Sequence, residues 1–322
     1  VILDTNPAQW HQLGNGTALR TVLQSLVIAI NSHLALNSAN KVAVVASHSD
    51  GARFLYPGKN EHKEQEQMHS RSTSPEESTA EKENPTSAVI PSACSRSFVS
   101  SQMYRQFKMV DETFLLNLLS LLESPPPSKP PKNSLSGSLS LALSYINKYQ
   151  QLDPLVKASI LVVNTSPDEH LKYIPIMNCI FAAQKMKIPI NVCQLTSTAT
   201  FLQQAADATS GVYLKVDNLD GLVQYFATAF FIDPSLKNLI VKPTSGDIDF
   251  RASCFQTGKV VDIGFVCSVC LCILSEIPTN EKCPACDSEF DPNVIKKLKR
   301  KPAVVAKKKK RKLNEGTPTP TA

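Results

Sequence analysis

Residues 158–216 read ASILVVNTSPDEHLKYIPIMNCIFAAQKMKIPINVCQLTSTATFLQQAADATSGVYLKV, and this stretch decides the fold. ASILVVNT (158–165), IPINVCQL (188–195) and VYLKV (212–216) are short, β-branched and apolar, as buried strands require. Between them lie helix-length segments, one from Tyr173 to Lys187 and one at TFLQQAADATS (200–210), the second closed by Gly211. Strands that alternate with helices and lack polar alternation belong to a sheet covered on both faces. Outward from this core, 219–231 predicts a further helix, and 136–149 another before the first of the three strands. Near the start, VILDTN (1–6) predicts a strand and Thr17–Leu36 an apolar helix. KVAVVAS (41–47) and ARFLYP (52–57) then predict two strands joined at Gly51 as a hairpin. The sum is an α/β domain over 1–235, a doubly wound, mostly parallel six-stranded sheet with one antiparallel edge.

Two segments interrupt this pattern. From 57 to 97 the composition turns to Glu, Lys, Ser, Thr, Gln and Pro, too polar to bury a core, and predicts a disordered insert. Residues 103–123 predict a helix that Asp111 caps, ended by SPPPSKPPK (124–132), because proline lacks the amide donor and fixes φ. The net charge of +6 is uneven: residues 296–322 hold eleven Lys/Arg against Glu315, a local +10, so residues 1–295 carry −4. The run AKKKKRKL (306–313) matches the basic cluster of a nuclear localisation signal and predicts a flexible basic tail over 296–322 and a nuclear protein. Nine cysteines without a secretory framework point to a reducing compartment. No run of eighteen apolar residues is present, which argues against a membrane span.

Over 236–295, a linker leads into CSVCLCILSEIPTNEKCPAC (267–286), where Cys267, Cys270, Cys283 and Cys286 have the spacing C-x2-C-x12-C-x2-C. Two tight knuckles with this spacing place four thiolates around one tetrahedral zinc ion. Four protein ligands leave no open position, so the site predicts one structural zinc and no hydrolytic chemistry. The weighed alternatives are a redox C-x-x-C pair and unrelated buried cysteines. Cys272 is a fifth thiol within the cluster, set aside because it breaks the paired spacing. A RING domain needs eight Cys/His ligands, yet every histidine lies at or before His170 and only five cysteines follow Cys254.

An Asp at the end of the first strand of such a sheet resembles a von Willebrand A-type domain, whose metal-dependent adhesion site uses D-x-S-x-S. Asp4, Asn6 and Ala8 occupy those positions, and Ala8 supplies no side-chain oxygen. The companion acid falls at Asn164–Thr165, Asp168 lies too far along, and Ser134 or Ser136 remains as the source of a hydroxyl. A hard divalent cation needs about six oxygens, so Asp4 is expected to order a loop or helix start instead. Asp168, Glu169 and His170 read as a polar helix start and not a triad. No G-x-S-x-G, phosphate-binding glycine loop or H-E-x-x-H is present. Cys179 and Cys193 fall on apolar stretches and predict core packing.

Several blocks together, including NSANKVAVVA (37–46), YIPIMNCIFAAQKMKIPI (173–190), FIDPSLKNLIVKP (231–243), GFVCSVCLCILS (264–275) and CPACDSEFD (283–291), resemble the smaller von Willebrand A-type subunit of the transcription and repair factor TFIIH, fungal members most closely. The resemblance implies a non-enzymatic core subunit acting in RNA polymerase II initiation and nucleotide excision repair. Its implied partners are the larger A-type subunit and the other core subunits with their helicases. DNA contact is expected to be indirect or weak, and no membrane is involved. The alternative is a zinc-dependent nucleic-acid-binding module that uses the finger and basic tail together. Against it, FVCSVCLCILSEIP is apolar and carries no base-reading Arg or Asn.

Overall fold

The computed structural model describes residues 1–14, 16–58, 103–123, 134–167, 173–196, 198–232, 236, 239–241, 243 and 248–298. The insert beyond Gly58, the cluster at Asp168–His170 and the tail beyond Leu298 lie outside the described residues. In chain order the first unit contains β1 (Ile2–Asp4), α1 (Pro7–Gly14), α2 (Thr17–Leu36), β2 (Val44–His48), β3 (Gly51–Tyr56), α3 (Arg105–Leu122), α4 (Leu135–Leu152), β4 (Ile160–Asn164), α5 (Tyr173–Lys185), β5 (Ile190–Gln194), α6 (Thr200–Ala208) and β6 (Tyr213–Lys215). A composite helix closes it: a 3-10 turn at Leu219–Gly221, α7 (Leu222–Tyr225) and a π turn at Phe226–Phe230.

The sheet has the order β3-β2-β1-β4-β5-β6, parallel throughout except for the β2–β3 hairpin at its edge. Successive strand residues point to opposite faces, and both faces are dry. Leu3, Ala46, Leu161, Val163 and Cys193 pack with α1, α2, α3 and the composite helix. Ile2, Val45, Ile160, Val162, Ile190 and Val192 pack against α4, α5 and α6. This double coverage is why the strands read as apolar runs without alternation. Gly211 serves the same compaction: a Cβ there would collide with the Ile190 carbonyl, so only glycine lets the chain pass β5 on its way to β6.

The structure departs from the sequence reading at three points. First, Pro7–Gly14 forms a helix where the sequence predicts no element and only Ala8 falls on an adhesion-motif position; Asn6 Oδ1 accepts the Ala8 amide at 3.3 Å, an Asn cap followed by Pro at the first helical position. Second, Thr17–Leu36 is by length and composition apolar enough to cross a bilayer. Its Val22, Leu26, Ala29, Ile30 and Leu34 line the core, so it is built as the central helix of an α/β layer. Third, Asp111 is not a cap. It lies within α3, buried, and accepts a 2.8 Å bond from Asn31 Nδ2 on α2.

The second unit begins at Gly264, and residues up to Ile263 group with the first. Gln204 on α6 explains this, because its Nε2 donates to the carbonyls of Asp249 (2.7 Å) and Arg251 (3.1 Å) and so holds the connector on the domain.

Burial pushes the Asp111 carboxyl above the usual carboxylate range, with the Asn31 amide opposing. The folded protein therefore holds this proton more tightly than the unfolded chain. The stability so contributed is complete below about pH 4 and is lost as pH rises through the raised folded value. Asp111→Asn is expected to flatten that decline, measured as the denaturant midpoint from pH 4 to pH 8. An unchanged slope would place the titration elsewhere.

Candidate metal centre and the sheet-end crevice

Parallel sheets open a crevice at the carboxyl ends of their strands where the chain order reverses, here between β1 and β4. Asp4 sits at that point, 4% exposed. Its Oδ2 accepts from the Thr165 amide (3.2 Å), Thr165 Oγ1 (2.8 Å), the Ser166 amide (2.9 Å) and Ser166 Oγ (2.6 Å). Its Oδ1 accepts the Asn6 amide at 3.1 Å, and its main-chain carbonyl accepts Trp10 Nε1 at 2.8 Å. The carboxylate thus orders the turn after β4 and, through Trp10, seats α1.

Further polar groups near this point, among the described residues, also pair with one another. Asn164 Nδ2 donates to the Ser166 carbonyl (2.7 Å) and to Gln194 Oε1 (3.0 Å). Thr196 Oγ1 donates to the Thr165 carbonyl at 2.6 Å. Ser134 Oγ donates to the His48 carbonyl at 2.8 Å, and the His48 ring meets Thr5. Ser136, the other serine considered, lies inside α4. A cation at Asp4 Oδ2 would have to displace four protein donors, while Oδ1 carries the Asn6 amide alone. Thr165 and Ser166 were legible in the sequence only as residues near the strand end; what tied them to Asp4 was the pairing of β1 with β4.

In the second unit, the four paired cysteines come together. Their sulfurs all lie within 4.8 Å of one another, with Cys267–Cys286 at 3.8 Å and Cys270–Cys283 at 3.5 Å. A tetrahedral ion with 2.3 Å metal–sulfur bonds spaces its ligands by about 3.8 Å, so the four thiols fit a metal ion. Each C-x-x-C pair, Cys267 with Cys270 and Cys283 with Cys286, sits in a knuckle of the same form. The Cys267 amide donates to the Cys272 carbonyl and the Leu271 amide to the Cys267 carbonyl; in the second copy, the Cys283 amide donates to Ser288 and the Asp287 amide to Cys283. Leu271 (φ 59) and Asp287 (φ 56) occupy matching left-handed positions. β7 (Phe265–Val266) and β8 (Ile273–Leu274) flank the first knuckle, and α8 (Pro292–Leu298) follows the second. The Cys267 thiol is drawn down to about 6 by the Cys270 amide, the Ser288 hydroxyl and the Val269 amide, which favours the thiolate a metal needs. Cys193, by contrast, is pushed up to about 12 by burial in the sheet and is inert core.

A doubly wound sheet with an antiparallel edge and an acid at the switch point, followed by a module whose four clustered thiols could hold a metal ion, defines a von Willebrand A-type domain protein with a C-terminal four-cysteine unit. The sequence matches the family described as Transcription factor Tfb4 over residues 1–287, and the chain belongs to that family. It is 44% identical over 331 residues to the Saccharomyces cerevisiae "General transcription and DNA repair factor IIH subunit TFB4", covering 98% of this chain and 92% of that protein. The Schizosaccharomyces pombe protein of the same description is 42% identical over 290 residues, covering 90% and 87%. The crystal structure of the TFIIH p34 N-terminal domain superimposes with a TM-score of 0.52 at 28% identity, covering 71% of this chain and 95% of that one.

Replacing Asp4 with Asn sets an NH2 group against hydroxyl and amide donors. We expect a loss of about 3 kcal/mol in denaturant unfolding, since bonds to a charged acceptor are worth about 1.5–3 kcal/mol each. This exceeds the roughly 1 kcal/mol that a lost cap alone would give. Magnesium should leave the wild-type midpoint unchanged, and a magnesium-dependent rise would show that the crevice opens to a cation. Elemental analysis of the full chain is expected to find one metal ion, absent in Cys283→Ser and retained in Cys254→Ser.

Proposed function

We propose that the chain is a non-catalytic structural subunit of the TFIIH core complex that acts in transcription initiation and nucleotide excision repair by binding other subunits, the larger A-type subunit among them. The observation that carries this reading is the closed crevice. Asp4 accepts from Thr165, Ser166 and Asn6, so at the place where an A-type domain would bind a cation the carboxylate is engaged by its own chain, Oδ2 by four donors and Oδ1 by one. The second unit holds, on this reading, one zinc through Cys267, Cys270, Cys283 and Cys286. Zinc bound by four thiolates has no position for water and supplies structure, not chemistry. What remains is surface.

The exposed surface of the first knuckle is apolar. Val266, Val269 and Leu271 face solvent, Leu271 with 71% of its area exposed. Leu271 also holds a left-handed conformation that costs a side chain with a Cβ about 1–2 kcal/mol, whereas the matching residue of the second knuckle is Asp287, of a type that tolerates it. Strain kept at an exposed apolar residue supports a partner contact at that point. Between 264 and 295 the acids Glu276, Glu281, Asp287, Glu289 and Asp291 stand against Lys282 alone, itself paired with Glu289, so the surface around the cysteines disfavours a phosphate backbone and the nucleic-acid reading rests on the tail. The basic run at 306–313 is assigned to nuclear import.

Co-purification with the larger A-type subunit tests the reading. Leu271→Asn is expected to weaken capture roughly tenfold while leaving metal content and the unfolding midpoint at or above wild type. Removing residues 303–322 is expected to impair nuclear accumulation and leave capture intact. Loss of the partner on tail removal, with the metal retained, would make the tail an assembly element and overturn this division of the chain.

A further inference from the structure

Cys272 has no role in the paired spacing, yet its thiol is buried and lies 3.3 Å from the Cys283 sulfur. The repeat of the knuckle explains its position. Counting from the first cysteine of each, Cys272 and Ser288 are both the sixth residue: CSVCLC (267–272) and CPACDS (283–288). Their main-chain carbonyls do the same work, accepting from Cys267 and Cys283 at 3.0 and 2.9 Å. Their side chains both lie against the cage, Cys272 nearest the opposite knuckle and Ser288 nearest its own. Cys272 Sγ meets the first sulfur of the opposite knuckle, Cys283, while Ser288 Oγ lies 3.5 Å from the first sulfur of its opposite knuckle, Cys267, and 3.0 Å from Cys286.

Four thiolates around a divalent ion leave two negative charges, and Cys267 and Cys283 are almost fully buried. A buried anion is stable only when hydrogen-bond donors meet it. A thiolate bound to metal can only accept, which fixes the direction of both contacts: the Ser288 hydroxyl and the Cys272 thiol donate. We infer that Cys272 and Ser288 are a matched pair of positioning residues, outer donors that hold the thiolate cage from opposite knuckles, and that Cys272 is not a fifth or substitute ligand. The motif is thus C-x-x-C-x-[C/S] used twice. Such outer partners orient ligands and lower their charge density, and losing one typically weakens metal binding by about 10–100-fold.

The inference rests on a metal being held by Cys267, Cys270, Cys283 and Cys286. The test uses the full chain, loaded with zinc for release to a chromogenic chelator and with cobalt for the thiolate charge-transfer band. Cys272→Ala and Ser288→Ala are expected to keep one ion per chain, to release zinc at least tenfold faster, and to shift the charge-transfer band, because each leaves a thiolate without its donor. Cys272→Ser and Ser288→Cys restore a donor at nearly constant volume and are expected to restore both readouts toward wild type. Alanine and serine variants of Cys272 with the same release rate and the same band as wild type would overturn the pairing. Loss of stoichiometric metal in Cys272→Ser together with full retention in Cys270→Ser would make Cys272 a ligand and also overturn it. Absence of metal from the wild-type chain would instead refute the metal reading beneath it, an outcome the elemental analysis separates from the other two.

Discussion

The carboxylate of Asp4 is the point on which the first unit turns. One oxygen gathers four donors from two consecutive residues of the turn after β4, the other holds the start of α1, and the same residue's carbonyl takes the Trp10 indole. A buried charge in this position is tolerated because five donors meet it, and removing either side would leave donors or an anion stranded away from water. The arrangement locks the adjacent central strands β1 and β4 at their carboxyl ends, where two parallel strands with helices on either side would otherwise leave an open cleft.

The two units solve one problem in opposite ways. In the first, an anionic group is neutralised by protein donors, and the crevice closes. In the second, too little apolar surface exists for a core: its buried cluster is built from Cys267, Cys272, Leu274 and Cys283, with Cys286 and Phe290 partly buried around it. A unit of that size needs a staple, and the four thiols lie close enough together to take a metal ion as one; structural zinc held this way supplies folding energy on the order of 10 kcal/mol. The side chains left outward, such as Val269 and Leu271, are suited to contact with protein.

Much of this was legible in the sequence, for reasons particular residues make plain. The runs at 158–165 and 188–195 became β4 and β5 because burial on both faces favours apolar residues on each, with Asn164, Asn191 and Gln194 buried only because hydrogen bonds meet them. The hairpin at Gly51, the helix Thr17–Leu36 and the pairing of the four cysteines followed from turn chemistry, periodicity and spacing. The helix Pro7–Gly14 did not stand out, because among its residues only Trp10 is buried and its apolar period is too short to register. Asp111 was misplaced for the opposite reason: an acid in an apolar stretch reads as a cap, while its partner Asn31 lies eighty residues away.

The sequence by itself determined the layers, the strand count, the antiparallel edge and which sulfurs belong together, since all of these rest on local pattern and short spacing. Only the tertiary structure decided what Asp4 does and what Cys272 is for. Thr165 lies 161 residues from Asp4, and the parallel register of β1 against β4 is what brings it within a hydrogen bond. Likewise, Cys272 and Ser288 take on matching positions only when two knuckles face each other across one cage. Hydrogen bonds act over about 3 Å in space, and the distance along the chain says nothing of that until the chain has folded.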